Sequence, residues 1–268
     1  MSLAINSYLS TSHLNRAQKT QSAAMRHIAT GLKIGNVQDN PAAYAILSKL
    51  NVNVGATAQH VSNVQNTNAM LSTAAGGIEN VMGSLESMRS SLTNMLNDPT
   101  ADTSVDTGRL QSALSALSET TATTQYNGMN LLDGSRAVTM PDGEGYSETQ
   151  LPNFSTESLG LTDQSGKSTF DLSSREGIGA ALDTVYSAMD KVLDQQTTIG
   201  AMQQNLEFAA DNYTMQEENQ TASASTMGDA NIAKSITDLK SANAQSQLAM
   251  FAQTMNMHNN YSVLKLLQ

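Results

Sequence analysis

The sequence predicts a mainly α fold: a long antiparallel coiled-coil helical bundle with a short β-hairpin, plus a terminal helix pair. Three observations predict it. First, alternating steps of four and three residues from Ala43 reach Leu47, Leu50, Val54, Thr57, Val61, Val64, Asn68, Leu71, Ala75, Ile78, Met82, Leu85, Arg89, Leu92 and Leu96. Only Thr57, Asn68 and Arg89 break the apolar series. A heptad held this long without proline marks a helix that buries a narrow seam against partner helices; straight, it would span roughly 80 Å. Second, the same stepping returns at Ile178 and runs through Leu182, Val185, Met189, Val192, Gln196, Ile199, Gln203, Leu206, Ala210 and Tyr213. Two matching seams predict two long helices packed on each other. Third, aromatics are 4% of the 268 residues, Trp is absent and Met numbers 15. That supply suits slim, closely approaching helices better than a globular sandwich.

In chain order, residues 2–40 open with a helix whose face carries Leu14, Ala17, Ala24 and Ile28, with Met25 and Leu32 beside it and Arg16, Lys19 and Arg26 opposite. Gly31 and Gly35 loosen its end. Asp39, Asn40 and Pro41 supply a capping side chain followed by a first-turn proline, so the long helix starts there. Asp98 and Pro99 stop it. Leu110, Leu114 and Leu117 mark a shorter helix, ended by the Asn127-Gly128 turn pair. Between 133 and 175 the helical period vanishes. Ala137 to Met140, a Pro-Asp-Gly turn at 141–143 and Tyr146 to Leu151 read as a β-hairpin, with Phe154, Leu159 and Leu161 as small anchors. After the second long helix comes a last one through Ile232, Ile236, Leu239, Ala244, Leu248, Phe251 and Met255, and the chain closes on Val263, Leu264, Leu266 and Leu267. The expected domains are 1–40 with 229–268, a terminal helical domain, and 41–228, a rod-shaped bundle with its hairpin at about 133–175.

Charged residues are 14% of the chain, against roughly 25% in ordinary soluble domains, and Ser, Thr, Asn, Gln and Ala replace them. A net charge of −10 argues against nucleic acid, whose phosphates need a basic face. The absence of Cys excludes disulfides and thiolate metal sites. No apolar run approaches the roughly 20 residues that cross a bilayer, so no membrane insertion is expected, and the N-terminus lacks the basic-then-apolar design of a cleaved leader.

Signals for catalysis are weak. Gly166, Lys167 and Ser168 resemble the end of a phosphate-binding loop, but the spacing back to Gly160 is one residue too long and no strand-to-helix context surrounds it. A Gly/Ser turn is the simpler reading. His13, His27, His60 and His258 are scattered without a ligand partner at i+3 or i+4, and no HExxH occurs, so neither a metal nor a cofactor is expected. Asn68 and Arg89 read as seam positions that fix register, and Met82, Met88, Met95, Met189 and Met202 as gap-filling core. Glu217 and Glu218 read as a solvated patch. Seam packing is assigned to Leu47, Leu50, Val54, Val61, Leu71, Ile78, Leu85 and Leu92, facing Leu182, Val185, Met189, Val192, Ile199 and Leu206.

The middle of the chain can close a bundle by itself, which leaves two apolar-striped ends paired only with each other. Such surface marks an interaction site, and a contact with a different patch on an identical copy builds an open filament. At this point specific residues matter. Arg26-His27-Ile28-Ala29-Thr30-Gly31-Leu32-Lys33-Ile34, followed by Asp39, Asn40, Pro41, Ala42, Ala43, Ala45 and Ile46, resembles a hallmark run of the bacterial flagellins. Leu14, Asn15 and Gln18 before it, Gln125 to Leu132, Leu159 to Leu161, and Val263 to Leu267 resemble further family motifs. The likeness covers roughly residues 5–132 and 175–268.

The resemblance implies a self-assembling filament subunit, exported through the flagellar type III apparatus with an export chaperone, and meeting filament cap and junction proteins. It implies an extracellular filament in which the terminal helices, disordered in the monomer, form an inner tube. Polymer contacts are then expected at Leu14, Met25, Ile28, Leu32, Leu248, Phe251, Met255, Val263, Leu264 and Leu267. Only about 43 residues separate Leu132 from Glu176, too few for an inserted domain, so a short form is expected. A hook–filament junction protein and a flagellin-like surface adhesin using Tyr146, Phe154 and Phe170 are the alternatives. In family members seen by an innate immune receptor the long helix carries an L-Q-R-V-R-E-L run. Here Leu85 and Arg89 match, Ser87 and Ser90 do not, and Arg109 reverses an acidic contact, so weak recognition is expected.

Overall fold

The computed structural model describes residues 2–97, 103–142 and 145–266. Its elements are α1 (Ser2–Thr30), α2 (Pro41–Asn97), α3 (Thr103–Thr123), β1 (Gln125–Tyr126), β2 (Met129–Asn130), β3 (Ala137–Asp142), β4 (Gly145–Gln150), α4 (Arg175–Gly228) and α5 (Ile232–Leu266). They form two compact units: a terminal unit, Met1–Ala56 with Gln216–Gln268, and a central unit, Thr57–Met215. The predicted stop at Asp98 and Pro99 lies outside the described residues.

The long helices are polar yet hold few charges because their hydroxyls are satisfied locally. Thr67, Ser72, Thr93, Thr184, Ser187, Thr197 and Thr214 each donate to the carbonyl four residues earlier, the back-bond that lets Ser and Thr sit inside a helix.

In the central unit α2 and α4 run antiparallel. Gln203 Nε2 donates to Ser72 Oγ at 3.0 Å, and the His60 and Tyr213 rings stack 5.2 Å apart. Leu71, Ile78, Leu85 and Leu92 of α2 are fully buried against Leu110, Leu114 and Leu117 of α3 and Ile178, Val185, Val192, Ile199 and Leu206 of α4. The seam, however, has a different second position from the one expected. The sealed residues are Ala74, Val81, Met88 and Met95, not Ala75, Met82, Arg89 and Leu96; on α4 they are Ala181, Ala188 and Met202, not Leu182, Met189 and Gln203. Three helices around one core bury a wider stripe than a two-stranded seam does. Ala75, Met82, Leu96, Leu182 and Met189 therefore sit half-buried at the core's margin, while Arg89 is exposed and fixes no register.

Beyond α3 the chain makes two antiparallel hairpins. In the first, Asn127 (φ 49°) and Gly128 (φ 75°) turn between β1 and β2, both left-handed as a two-residue hairpin requires. In the second, Ala137 to Asp142 pairs with Gln150 to Gly145, so Pro141 belongs to a strand and not to the turn. A two-stranded ribbon has only edges, where a missing N–H is tolerated. Phe154 and Leu151 lock the second hairpin down by donating N–H to the carbonyls of Leu132 and Arg136, and Phe154, Leu159 and Leu161 enter the core.

Three Asp-x-Ser turns shape the remaining loop. Asp133, Asp163 and Asp171 each accept the backbone N–H and hydroxyl of the Ser two residues on. Those bonds, the Ser hydroxyl first, hold all three carboxyls below the ordinary carboxylate range. Lys167 N–H also donates to Asp163 Oδ1. The amides that a phosphate loop would offer to a ligand are thus already engaged by Asp163, and the Gly166 segment is a turn.

In the terminal unit α1 ends because Gly31 adopts φ 71° while its N–H bonds to the His27 carbonyl, the left-handed cap that glycine takes at least cost. The connectors on either side of the unit then meet. Leu32 bridges Asp229, the Gly228 carbonyl accepts N–H from Lys33 at 2.7 Å, and Ala230 N–H donates to the Gly31 carbonyl at 2.8 Å. Asp39 accepts the N–H groups of Asn36 and Gly35 and lies 3.6 Å from Arg26; the Asn36 bond is the largest cause of its lowered pKa. Asn40 Oδ1 accepts Ala43 N–H at 3.1 Å, capping α2 as its sequence requires.

Candidate polymerisation surface

α1 packs along α5, antiparallel, with Asn256 Nδ2 near Ser10 Oγ at 3.4 Å. The facing positions recur every seven residues: Ser10, Ala17 and Ala24 on α1, and Ser235, Ala242, Ala249 and Asn256 on α5. The Ser10–Asn256 register puts Ala17 about level with Ala249 and Ala24 with Ala242, since both helices rise about 1.5 Å per residue. Ala17, Ala24, Ser235, Ala242 and Ala249 are all buried. Small residues on both sides let the helices approach closely, but a methyl group contributes only about 0.8 kcal/mol on burial, against about 1.5–3 for a Leu or Met.

The large apolar side chains of this unit point elsewhere. Around α5, at 100° per residue, Leu248 and Met255 flank the Ala249 seam on one side, Met250, Met257 and Tyr261 flank it on the other, and Phe251 lies nearly opposite it. Leu248 is 67%, Phe251 65% and Met257 64% exposed, and Met250, Met255 and Tyr261 are exposed as well. On α1, Tyr8, Leu9 and Met25 are exposed, Leu14 and Ile28 are half-buried beside α5, and Leu32 lies exposed just beyond the cap. Val263 and Leu264 fall on α5, but their side chains, like Leu267 as a whole, lie outside the described residues.

Sequence stepping through Ala244, Leu248, Phe251 and Met255 found one flank and missed Tyr8, Leu9, Met250, Met257 and Tyr261. The signal that finds the rest is the small-residue heptad itself, because once Ala242 and Ala249 are seen to be the contact, everything 80–120° to either side is left uncovered. The exposed side of α1 bears Arg16, Lys19 and Arg26 with Asn15, Gln18 and Ser22 between them, and α1 contains no Asp or Glu.

The residues assigned to seam packing and to the receptor-like segment are not part of this surface. Leu47 is buried in the terminal unit, where it lies 3.0 Å from the position a Gly228 Cβ would occupy; Leu50 and Val54 there, and Val61 in the central unit, are half-buried. Leu85 is sealed in the central core while Arg89 is exposed, and Ser87, Ser90 and Arg109 line an open groove between α2 and α3. Arg109 lies 3.5 Å from Asp106. Among the described residues no helix is long and apolar enough to cross a membrane, and no three His, Asp or Glu gather as a metal site would need.

With this geometry in place, likenesses to known proteins become informative. Residues 2–137 match the family model of the bacterial flagellin N-terminal helical region, and residues 182–267 that of the C-terminal helical region. The chain is 27% identical to a flagellin of Bacillus subtilis (strain 168), covering 95% of this chain and 96% of that one. It is 24% identical to a flagellin of Shigella flexneri over 72% of this chain but only 34% of the longer relative. In fold it resembles a protein of Vibrio parahaemolyticus described as flagellar hook-associated, with TM-score 0.60 and 19% identity over 71% of this chain and 100% of that one.

Proposed function

The chain belongs to the bacterial flagellin family and is a short structural subunit of the flagellar filament; from this premise we propose that its polymer contacts are made by the two exposed flanks of the α1/α5 pair. The contact set is Leu14, Met25, Ile28, Leu32, Leu248, Phe251, Met255, Val263, Leu264 and Leu267, joined by Met250, Met257 and Tyr261. The observation that carries this is the exposure of Leu248 and Phe251 on a helix whose own partner meets it through Ala242 and Ala249. An apolar surface of this kind outside a finished helix pair marks a protein contact, and a heterologous contact between identical copies propagates.

In this reading residues 1–40 with 229–268 form the inner tube of the filament and 41–228 the layer around it. The alanine seam holds the pair only weakly, so the two helices become fixed when neighbouring subunits cover their flanks. The subunit leaves the cell through the flagellar type III apparatus with a chaperone, meets cap and junction proteins, and acts by assembly without catalysis. Recognition by the innate immune receptor is weak, because Leu85 is buried and Ser87, Ser90 and Arg109 depart from the recognised pattern; nanomolar activation of receptor-bearing cells by purified subunit would overturn this.

Seeded elongation followed by electron microscopy tests the assignment. Leu248→Asp, Leu264→Asp and Leu267→Asp subunits keep a folded central unit and fail to extend filament fragments. Normal filaments from these variants would remove the proposed contact surface.

A further inference from the structure

The chain's methionines divide by position. Met88, Met95 and Met202 are sealed in the central core, whereas Met250, Met255 and Met257 stand within eight residues of α5, all exposed and distributed over both flanks. A thioether on an apolar contact face is soft and adaptable, but it is also the side chain that peroxide converts into a polar sulfoxide when it can be reached. We propose that Met250, Met255 and Met257 are an oxidation-sensitive site that controls assembly: hydrogen peroxide modifies them in the free subunit and disables polymerisation, and incorporation into the filament shields them.

The chemistry balances without any group from the protein. A sulfur lone pair attacks one peroxide oxygen, the O–O bond breaks, and the thioether becomes a sulfoxide while the remaining oxygen leaves as water with both peroxide protons. Sulfur is oxidised by two electrons and the peroxide is reduced by two. The new S–O dipole sits where Leu248, Phe251 and Tyr261 present apolar surface, so burying it against a neighbour leaves an acceptor without a partner. Sulfoxide reductases reverse the change. Exposure alone does not confer the effect: Met215 of the central unit is 55% exposed and lies outside the proposed contact set, so its oxidation is silent. The shielding half of the proposal rests on the assignment of the α5 flanks to polymer contacts.

Free subunit is treated with hydrogen peroxide, mapped by peptide mass spectrometry and offered to filament seeds. Met250, Met255 and Met257 gain oxygen well before Met88, Met95 and Met202, elongation falls by about tenfold or more, the equivalent of about 1.4 kcal/mol, and a mixture of the two sulfoxide reductases restores it. Met25 of α1 is also exposed and in the contact set, so the resistant variant combines Met25→Leu with Met250→Leu, Met255→Leu and Met257→Leu, close to volume-conserving changes, and it elongates seeds with or without peroxide. Normal elongation by the oxidised subunit, or equal loss in this variant, overturns the switch while leaving the contact assignment intact. Oxidation of the three methionines in intact filaments at the free-subunit rate overturns the shielding and with it the contact assignment.

Discussion

The two units solve the same problem in opposite ways. The central unit turns its large apolar side chains inward, with Leu71, Ile78, Leu85, Leu92, Leu117, Ile199 and Leu206 sealed and its margin filled by Met82 and Met189. The terminal unit turns alanine and serine inward and leaves Leu248, Phe251, Met255 and Met257 outside. Charge divides along the same line: eight Lys/Arg stand against five Asp/Glu in the terminal unit, and six against nineteen in the central one. A sequence can thus finish one part of a molecule and leave another to be finished by its copies. The strongly acidic part favours repulsion between free subunits, and the weakly basic part carries the flanks proposed as polymer contacts.

Swapping one kind of change between the units gives the largest contrast. Leu85→Asp buries an unpaired carboxylate and costs at least about 4 kcal/mol, enough to unfold the central unit in a thermal melt. Phe251→Asp shifts the same melt by no more than about 0.5 kcal/mol yet abolishes seeded elongation. Equal destabilisation by the two would erase the distinction. Overfilling the terminal seam comes next: Ala249→Leu forces α5 away from α1 at a cost of about 1–3 kcal/mol. It appears as faster hydrogen exchange in α1 and α5, with exchange in 71–92 unchanged; slowed exchange in α5 would mean the seam has room.

A smaller effect sharpens the account of the central unit. Asn68 Oδ1 is buried without a hydrogen-bond partner among the described residues, so Asn68→Leu stabilises by about 1 kcal/mol, read as a higher midpoint in urea. A lower midpoint would show that the amide contributes more than it costs. The smallest effect is acid sensitivity. Asp39, Asp133, Asp163 and Asp171 have pKa values lowered by the hydrogen bonds they accept. A depressed carboxyl contributes stability that is complete above its unfolded value of about 3.9 and is lost as pH falls through its lower folded value. Carboxyl carbon titration by NMR should put all four midpoints below about 3.9, and a midpoint above that for Asp171 would mean its Ser173 bonds do not persist in solution.

Much of this architecture was legible in the residues, and the failures share a cause. Asn40-Pro41, Gly31 and Asn127-Gly128 marked element ends because their chemistry is local. The hairpin was found for the same reason, though Pro141 was assigned to its turn. The phase of the seam was not legible, because Ala74 and Ala75, Val81 and Met82, or Met95 and Leu96 are both apolar and only a third helix decides between them. At Met88 and Arg89 the sequence did decide, and a two-helix template overrode it. On α5 the sequence offered Leu248 and Phe251 as polymer contacts but did not show which face meets α1; an alanine heptad is a quieter signal that becomes readable only when the partner heptad on α1 is set beside it.

The bond between Ser10 and Asn256 joins residues 246 positions apart. Closing so long a loop carries an entropic cost that no early local contact offsets, so the α1/α5 pair can form only after both segments of one chain are present and free to meet. A chain still being synthesised, or one cut anywhere that loses either segment, has a helix without its mate and cannot display both flanks at once. On the proposed contact assignment, competence to join the polymer reports that a subunit carries both of its terminal segments, a proofreading step written into chain order.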